Sequence, residues 1–168
     1  NHNFSHAENL NVFIEEILTE NQITFKDLIA LAVSKGPGSY TGLRIGVSSA
    51  KGLCYALNIP LISIDTLTSL ARQIAVKEGV IVPMIDARRM EVFTGLYDVQ
   101  LNEIIAPQPL ILDADSFSVY LEKQTICFLG NGSIKARTIL ASNTARFLDA
   151  VRFSKSLSYL SYKAFLEG

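Results

Sequence analysis

A short apolar run, a glycine-rich loop and an amphipathic pattern follow one another without interruption in the first third of this chain. The run Ile29–Val33 is apolar at every position, which is typical of an interior strand covered on both faces of a sheet. The loop Ser34–Gly42 holds three glycines and a proline. Apolar residues then recur every three or four positions, so a helix is predicted over Leu43–Leu57. Strands that alternate with helices in this way favour an α/β fold.

The segment before this unit predicts a helix and a turn. Ser5 and Glu8 have the spacing of a capping box, in which each side chain bonds the other residue's backbone amide. Apolar residues follow at helical spacing, so a first helix is predicted over His6–Leu18. A short capped turn is expected over Thr24–Leu28.

The remainder alternates strand and helix patterns and divides into two halves of different character. Pro107 and Pro109 indicate a sheet edge or a loop, because proline lacks the amide that a central strand donates. Two small lobes are expected, 1–80 and 81–168. The predicted strands are Leu61–Ile64, Val80–Ile85, Glu91–Asp98 and Ile126–Leu129, and the predicted helices are Asp65 or Thr66 to Lys77, Asp113–Lys123, a helix after the turn Gly130–Gly132, and Lys155–Glu167.

Composition sets limits on partners and compartment. The 168 residues are 49% apolar and 18% charged, with a net charge of -1, so they offer no basic surplus for an extended phosphate backbone. The longest apolar runs are strand-sized, well below the ~20 residues that a membrane-spanning helix needs. Cys54 and Cys127 fit buried thiols in a reducing compartment, which predicts the cytoplasm. The chain begins with Asn1 instead of Met, and it is expected to start partway through a gene product.

The glycine loop is the first candidate binding site. Free amides at a helix N-terminus and the positive end of the helix dipole attract anions, which predicts an anion or nucleotide loop. The glycine spacing matches neither common phosphate-binding pattern. The alternative is a tight turn in which glycine permits positive φ and close packing. The residues of the candidate loop are Lys35, Gly36, Gly38, Ser39, Thr41, Gly42 and Arg44.

Other polar residues give weaker indications of chemistry. His2 and His6 have the four-residue spacing of a helical metal pair, but no third ligand is near, and a solvated or capping role is the alternative. Asp65, Asp86 and Glu91 stand near strand ends, where α/β sheets place ligands. Helix caps and turn anchors are the favoured interpretation of these carboxylates. No Ser-His-Asp or Cys-His set can be assembled, so we predict no catalytic residue and no metal.

The glycine-loop region resembles a known family signature. The run Ser34–Val47, continued by Ala50–Leu53 and by Pro60 and Leu61, closely resembles the signature of the TsaB family, also called YeaZ. Further matches are His6 with its helix, Asp65–Leu67, Pro83–Arg88, Glu91–Phe93 and, more weakly, Gly130–Gly132. The matches span about His6 to Asp98, whereas Ser133–Phe153 resembles the family least.

The resemblance implies a fold and a function. The fold is the actin-like, Hsp70-like and sugar-kinase (ASKHA) fold with two RNase H-like lobes. The N-terminal lobe is expected to be truncated, since the family begins with a strand and an Asp-Thr-Ser-like phosphate loop that this sequence lacks. TsaB proteins are inactive paralogues of TsaD, the subunit that transfers a threonylcarbamoyl group to the adenosine beside the anticodon of tRNA. The implied role is a non-catalytic scaffold that pairs with TsaD and supports docking of the ATPase TsaE.

The resemblance also implies an interface, formed like a helix bundle by the first helix and the helix after the glycine loop. Its expected residues are Leu10, Phe13, Ile14, Ile17, Gly42, Leu43, Gly46, Val47 and Ala50. No cofactor of its own is expected, although ATP or ADP at the heterodimer interface is compatible with the family, and tRNA would be engaged only indirectly. Two alternatives stay open: an ATPase-like, kinase-like or peptidase-like enzyme of the same superfold, and a homodimer through the same helices.

Overall fold

The structure, a computed structural model, describes residues 6–140, 142–148 and 153–167, and in this part it is an α/β protein, which confirms the predicted fold class. Helices and strands alternate along most of the chain. Their bounds are α1 (His6–Glu20), a 3-10 turn (Phe25–Asp27), β1 (Leu31–Ser34), α2 (Tyr40–Leu57), β2 (Leu61–Ile64), α3 (Thr66–Ala71), β3 (Val80–Asp86), β4 (Glu91–Tyr97), β5 (Glu103–Ile111), α4 (Ser118–Leu121), β6 (Ile126–Leu129), α5 (Ser133–Ile139), β7 (Ala145–Leu148) and α6 (Phe153–Glu167).

The larger sheet has five strands in the order β5-β4-β3-β6-β7. The first three form an antiparallel meander, in which Ile81 pairs with Tyr97 and Ile85 with Phe93. β6 and β7 then add in parallel, beginning with Val80 opposite Ile126. Pro107 and Pro109 lie in the edge strand β5, so the prediction of a sheet edge at these prolines is confirmed.

Both faces of this sheet are covered, and each has its own core. Alternate residues of β3 point to opposite faces, so Val82 joins the core beneath α4 and α5 while Ile81 joins the core beneath α3. On the first face, the Phe128 ring stacks on Phe147 with centroids 5.1 Å apart. Every residue of β6 is buried, as expected for a strand with helices on both sides.

The smaller sheet is a parallel pair, β1 and β2, with Leu31 opposite Leu61. Within the described residues β1 pairs with β2 alone. Ile29 is 67% exposed and Ala32 is also exposed, so the prediction of an interior strand over Ile29–Val33 is wrong. An apolar run shows that a strand can be buried, but the strand becomes buried only if other elements of the fold cover both of its faces.

Several element boundaries differ from the sequence prediction for identifiable reasons. The helix expected to reach Lys77 ends at Ala71, and Ile74 and Val76 pack beyond it against the α3 core. The helix expected over Asp113–Lys123 shrinks to α4, because the Asp113 and Ser116 side chains bond each other in a local turn.

Other boundaries moved outward, and one strand was missed. α1 continues to Glu20, and α2 begins at Tyr40, three residues before the predicted Leu43. β7 was not predicted at all.

The two halves of the chain share elements. α3 comes from the first half but packs on β3 of the larger sheet, whereas α6 comes from the second half and contacts β1 and β2. One face of α6 is buried or half-buried along its length, and its residues are Leu157, Leu160, Ser161 and Ala164. The division into lobes at residues 80 and 81 stays a prediction.

Candidate functional site: the glycine loop and the α1–α2 face

The glycine loop is tied to the smaller sheet at its start. The Lys35 amide donates to the Ile64 carbonyl at 2.9 Å, and the Thr66 amide donates to the Gly36 carbonyl at 2.9 Å. Gly36 has φ +106°, and a Cβ there would lie 3.1 Å from a Leu43 methyl. Glycine is therefore required at this position both for its backbone conformation and for the packing of α2.

Side chains of the protein occupy the N-terminus of α2. Ser39 is the N-cap, and its hydroxyl accepts from the Gly42 amide at 3.4 Å. The Arg44 guanidinium lies over the Tyr40 ring and donates to its hydroxyl at 3.3 Å. Lys35, at the start of the loop, is exposed. The geometry accounts for the loop as a tight, capped turn, and its role as an anion or nucleotide site stays a prediction.

Two of the three candidate carboxylates, Asp65 and Asp86, have structural roles. Asp65 caps α3, accepting from the amides of Leu67 at 2.8 Å and Thr68 at 3.1 Å, which confirms its interpretation as a helix cap. Asp86 anchors the turn after β3 by accepting from the Arg88 amide at 2.6 Å.

The Lys135 side chain connects the two ends of this turn. Lys135 donates to the Asp86 carboxylate at 2.9 Å and to the Glu91 carbonyl at 3.2 Å. The hydrogen bond from Lys135 and that from the Arg88 amide lower the pKa of Asp86. A carboxylate engaged in this way is a turn anchor, as predicted.

Two titratable groups in the interior, Tyr97 and Cys127, have raised pKa values. Burial raises the pKa of Tyr97 to about 12, although its hydrogen bond with the Thr68 hydroxyl acts in the opposite direction. Burial also raises the pKa of the Cys127 thiol. Cys54 and Cys127 are free and buried, which confirms the prediction of buried thiols. A thiol with a raised pKa is a poor nucleophile at neutral pH.

The predicted histidine pair falls largely beyond what the structure describes. His2 lies outside the described residues, and of His6 only the helical backbone is described. Among the described residues, no group of three or more His, Cys, Asp or Glu side chains is arranged to hold a metal ion. In the same part of the chain, no helix combines the length and the apolar character needed to cross a membrane.

The helices α1 and α2 pack against each other and leave apolar surface exposed. Phe13 and Ile17, one turn apart on α1, are 50% and 59% exposed. On α2, Gly42 is exposed, and a Cβ added at Gly46 would meet no atom within 4 Å. We call these four residues the α1–α2 face. An amphipathic helix normally buries its apolar stripe, so the exposed part of the stripe on α1 is unusual.

The other predicted interface residues lie deeper. Leu10, Ile14, Leu43, Val47 and Ala50 are half-buried, next to the fully buried Leu18 and Cys54. The structure therefore brings the predicted set onto two neighbouring helices, in which inward positions pack the helix pair and outward positions remain available. The sequence analysis did not predict that the aromatic ring of Tyr40 is exposed. Tyr40 follows the N-cap Ser39 directly, and this position in the first turn of α2 could have indicated the exposure.

The fold and the candidate site define the class of the molecule. It is an α/β protein with two sheets and with a two-helix face that is partly apolar. A family model described as "TsaD: tRNA N6-adenosine threonylcarbamoyltransferase" matches residues 3–157, and the chain belongs to this family.

Curated relatives place the chain near the TsaB members of that family. It is 39% identical over 121 residues to the tRNA threonylcarbamoyladenosine biosynthesis protein TsaB of Bacillus subtilis, covering 70% of this chain and 53% of that protein. It is 36% identical over 101 residues to TsaB of Escherichia coli, covering 59% of this chain and 44% of the relative. The chain thus spans about half the length of these relatives, and its predicted resemblance to the TsaB (YeaZ) family is confirmed.

Solved structures agree with this placement. A Pseudomonas aeruginosa protein described as similar to peptidase YEAZ superposes with a TM-score of 0.77 at 25% identity, covering 98% of this chain and 79% of that one. YeaZ from the same organism gives a TM-score of 0.74 at 23% identity over 98% of this chain and 80% of its own, and it shows the shared fold alone.

Proposed function

We propose that this chain acts in the synthesis of threonylcarbamoyladenosine in tRNA, as a non-catalytic subunit that pairs with a TsaD protein through the α1–α2 face. The observation that carries the proposal is the exposure of the large apolar side chains Phe13 and Ile17 on a helix whose Leu10, Ile14 and Leu18 are half-buried or buried. The relatives named TsaB give the proposal its biochemical setting.

Burial of these side chains would supply a driving force for pairing. Apolar surface removed from water contributes roughly 25 cal/mol per Å², so covering two half-exposed large side chains favours association by about 1–3 kcal/mol in all. Interfaces depend on a few such central residues, surrounded by surface that excludes water. The open space at Gly46 would let a partner helix approach the α2 backbone closely.

Charge and local geometry support a scaffold more than an enzyme. The net charge of -1 fits a subunit that engages tRNA through its partners. In the alternative, a nucleotide-binding or hydrolytic enzyme, the glycine loop would have to exchange the Ser39 cap and the Arg44–Tyr40 stacking for a ligand. Support of TsaE docking, ATP or ADP at the heterodimer interface, and a cytoplasmic location belong to the proposal. Self-association through the same face would compete with TsaD.

The test combines the protein with purified TsaD, TsaE, tRNA and threonylcarbamoyl-adenylate, and measures modified nucleoside and co-elution with TsaD. Gly46→Arg should abolish both, because the side chain projects into the space that a partner helix would fill. Gly52→Arg is the matched control. Gly52 lies on the same helix with equally open surroundings, about 120° around the axis from Gly46, and the substitution should leave both readouts unchanged.

The outcomes separate the alternatives. Product formation at the full rate without this protein would refute the scaffold role. Loss of co-elution in both arginine variants would show that the effect does not arise from the α1–α2 face. A dimer of the protein alone that dissociates with Gly46→Arg, while TsaD fails to bind, would favour the homodimer.

A further inference from the structure

A cavity of about 720 Å³ lies away from the α1–α2 face, between the end of α3 and the beginning of α6. The segment 72–76 forms one wall, the turn between β4 and β5 forms a second, and the first two turns of α6 form the third. We call it the α3–α6 cavity. Its volume falls in the range of about 300–1,000 Å³ that is usual for small-molecule sites.

Among the described residues that line the cavity, the charged ones are cationic. These are Arg72 and Lys155, and no carboxylate stands with them in this part of the lining. Within the described residues, neither cation forms an ion pair, and neither side chain forms a hydrogen bond. Two unneutralised cations on one concave surface produce a positive potential that favours an anion.

An aromatic ring holds one of these cations in place. The Arg72 guanidinium carbon lies 3.8 Å from the centroid of the Tyr159 ring, which also lines the cavity. Stacking on the ring fixes the guanidinium plane but uses none of its N–H groups, so those groups can donate to a ligand. A preorganised guanidinium loses little side-chain freedom when it binds an oxyanion.

A hydroxyl lies in the same wall, next to Lys155 in sequence. Ser156 lines the cavity, and within the described part of the chain its hydroxyl makes no hydrogen bond. A hydroxyl without a protein partner can donate a hydrogen bond to a ligand oxygen. Ser156 and Lys155 can therefore contact the same end of a ligand.

Aliphatic side chains also line the cavity. Ile74 and Val76 follow Arg72 in the same wall, and Val99 and Leu101 come from the β4–β5 turn. A cavity that combines cationic groups and a hydroxyl with aliphatic side chains matches a ligand with a charged head and an apolar body.

We propose that the α3–α6 cavity binds a small organic anion, a carboxylate or a phosphate monoester on an apolar body, with Arg72, Lys155 and Ser156 holding the oxygens. This site does not depend on the proposed pairing with TsaD, because no residue of the α1–α2 face takes part in it.

The probe is 8-anilinonaphthalene-1-sulfonate, an anion on an apolar body whose fluorescence rises when water is excluded. Titration should show saturable binding. Arg72→Gln and Lys155→Gln should each weaken it about tenfold or more, since a charge-assisted hydrogen bond is lost in each. Ser156→Ala should weaken it about threefold or more.

Each variant has a matched control elsewhere in the chain. Arg137→Gln removes another guanidinium stacked on an aromatic ring, that of Phe147. Lys163→Gln and Ser158→Ala change exposed residues of α6 itself, whose polar groups are engaged by Glu167 and by the Lys155 carbonyl. All three controls should bind the probe as the unaltered protein does, and thermal unfolding verifies that every variant is folded.

A neutral analogue and two competitors complete the test. N-phenyl-1-naphthylamine lacks the sulfonate, and its binding should be equal in all variants. Displacement of the anionic probe by octanoate identifies a carboxylate ligand, whereas displacement by 1-naphthyl phosphate identifies a phosphate monoester. The proposal is overturned if neither competes, or if Lys155→Gln and Ser156→Ala bind the probe as their controls do. Lys155 is exposed, so its variant remains informative even if Arg72→Gln fails to fold.

Discussion

The Lys135 ammonium lies 2.9 Å from the Asp86 carboxylate and so joins α5 to the end of β3. The Lys135 side chain is 16% exposed, while that of Asp86 is 39% exposed. Solvent reaches Asp86 more than Lys135, so water screens this ion pair only in part. Its contribution to stability is therefore expected to lie between that of a fully exposed pair and that of a fully buried one.

The pH dependence of this contact is predictable in sign. Because Lys135 and the Arg88 amide lower the pKa of Asp86, the carboxylate stabilises the fold above its unfolded pKa, and this stabilisation is lost as pH falls through the lowered value. Asp86→Asn should reduce the free energy of unfolding by roughly 0.5–1 kcal/mol at pH 7 and by almost nothing near pH 2. Urea unfolding at the two pH values measures the difference. Glu167→Gln, which alters an exposed pair at 3.6 Å, should have a smaller effect at pH 7.

Two neighbouring arginines adopt left-handed backbone conformations in the turn between β3 and β4. Arg88 has φ +72° and Arg89 has φ +45°, and both are exposed. A residue with a Cβ is disfavoured there by about 1–2 kcal/mol relative to glycine. Arg88→Gly or Arg89→Gly should therefore raise stability by up to about 1 kcal/mol, after the entropy that glycine adds to the unfolded chain. The readout is the thermal midpoint. Arg44→Gly, inside α2, should lower it, and a fall in all three variants would contradict the expectation.

Gly130 has the opposite requirement. Its φ is +93°, and a Cβ would lie 2.3 Å from the Met84 carbonyl oxygen. Gly130→Ala should destabilise the protein by more than about 2 kcal/mol, because backbone must move and the conformation is strained. Gly46→Ala is the control, and it should stabilise by about 0.5–1 kcal/mol, since it improves helix propensity in open space. Chemical denaturation of both variants gives the comparison, and equal effects would show that the contact between Gly130 and the Met84 carbonyl is looser than described.

Substitution of Asp65 tests whether its carboxylate serves as a helix cap or takes part in catalysis. Asp65→Ala leaves two α3 amides without their acceptor and should cost about 1–2 kcal/mol of stability, whereas Asp65→Asn should retain most of the cap. If the carboxylate has only a structural role, Asp65→Asn should support normal formation of the modified nucleoside with TsaD, TsaE, tRNA and threonylcarbamoyl-adenylate. This holds at temperatures where the variant is folded. Loss of activity in a fully folded Asp65→Asn would contradict the capping interpretation.

Local patterns predicted what depends on local chemistry. The turn closed by Thr24, the cap at Asp65 and the strand Ile126–Leu129 were all predicted from neighbouring residues, because capping and β-propensity act over a few positions. The interface helices were identified in the same way, with errors of two or three residues at their ends.

Features that depend on distant contacts were missed. The end of α3 depends on Ile74 and Val76 packing on another sheet, and exposure at Ile29 depends on whether a second strand lies beside β1. The α3–α6 cavity could not be predicted from the sequence for the same reason. Arg72 and Tyr159 are far apart in the sequence and come into contact only in the folded structure.

The packing of α6 on β1 and β2 has a consequence for biosynthesis. A two-stranded sheet is marginal in water by itself, and here α6, far downstream in the chain, lies against both of its strands. While α6 is still inside the ribosome, the smaller sheet lacks this cover, whereas the meander from β3 to β5 is already complete. We therefore expect the strands of the larger sheet to fold first during synthesis, although they follow the smaller sheet in the sequence. The smaller sheet, β1 and β2, should become stable only after α6 has left the ribosome.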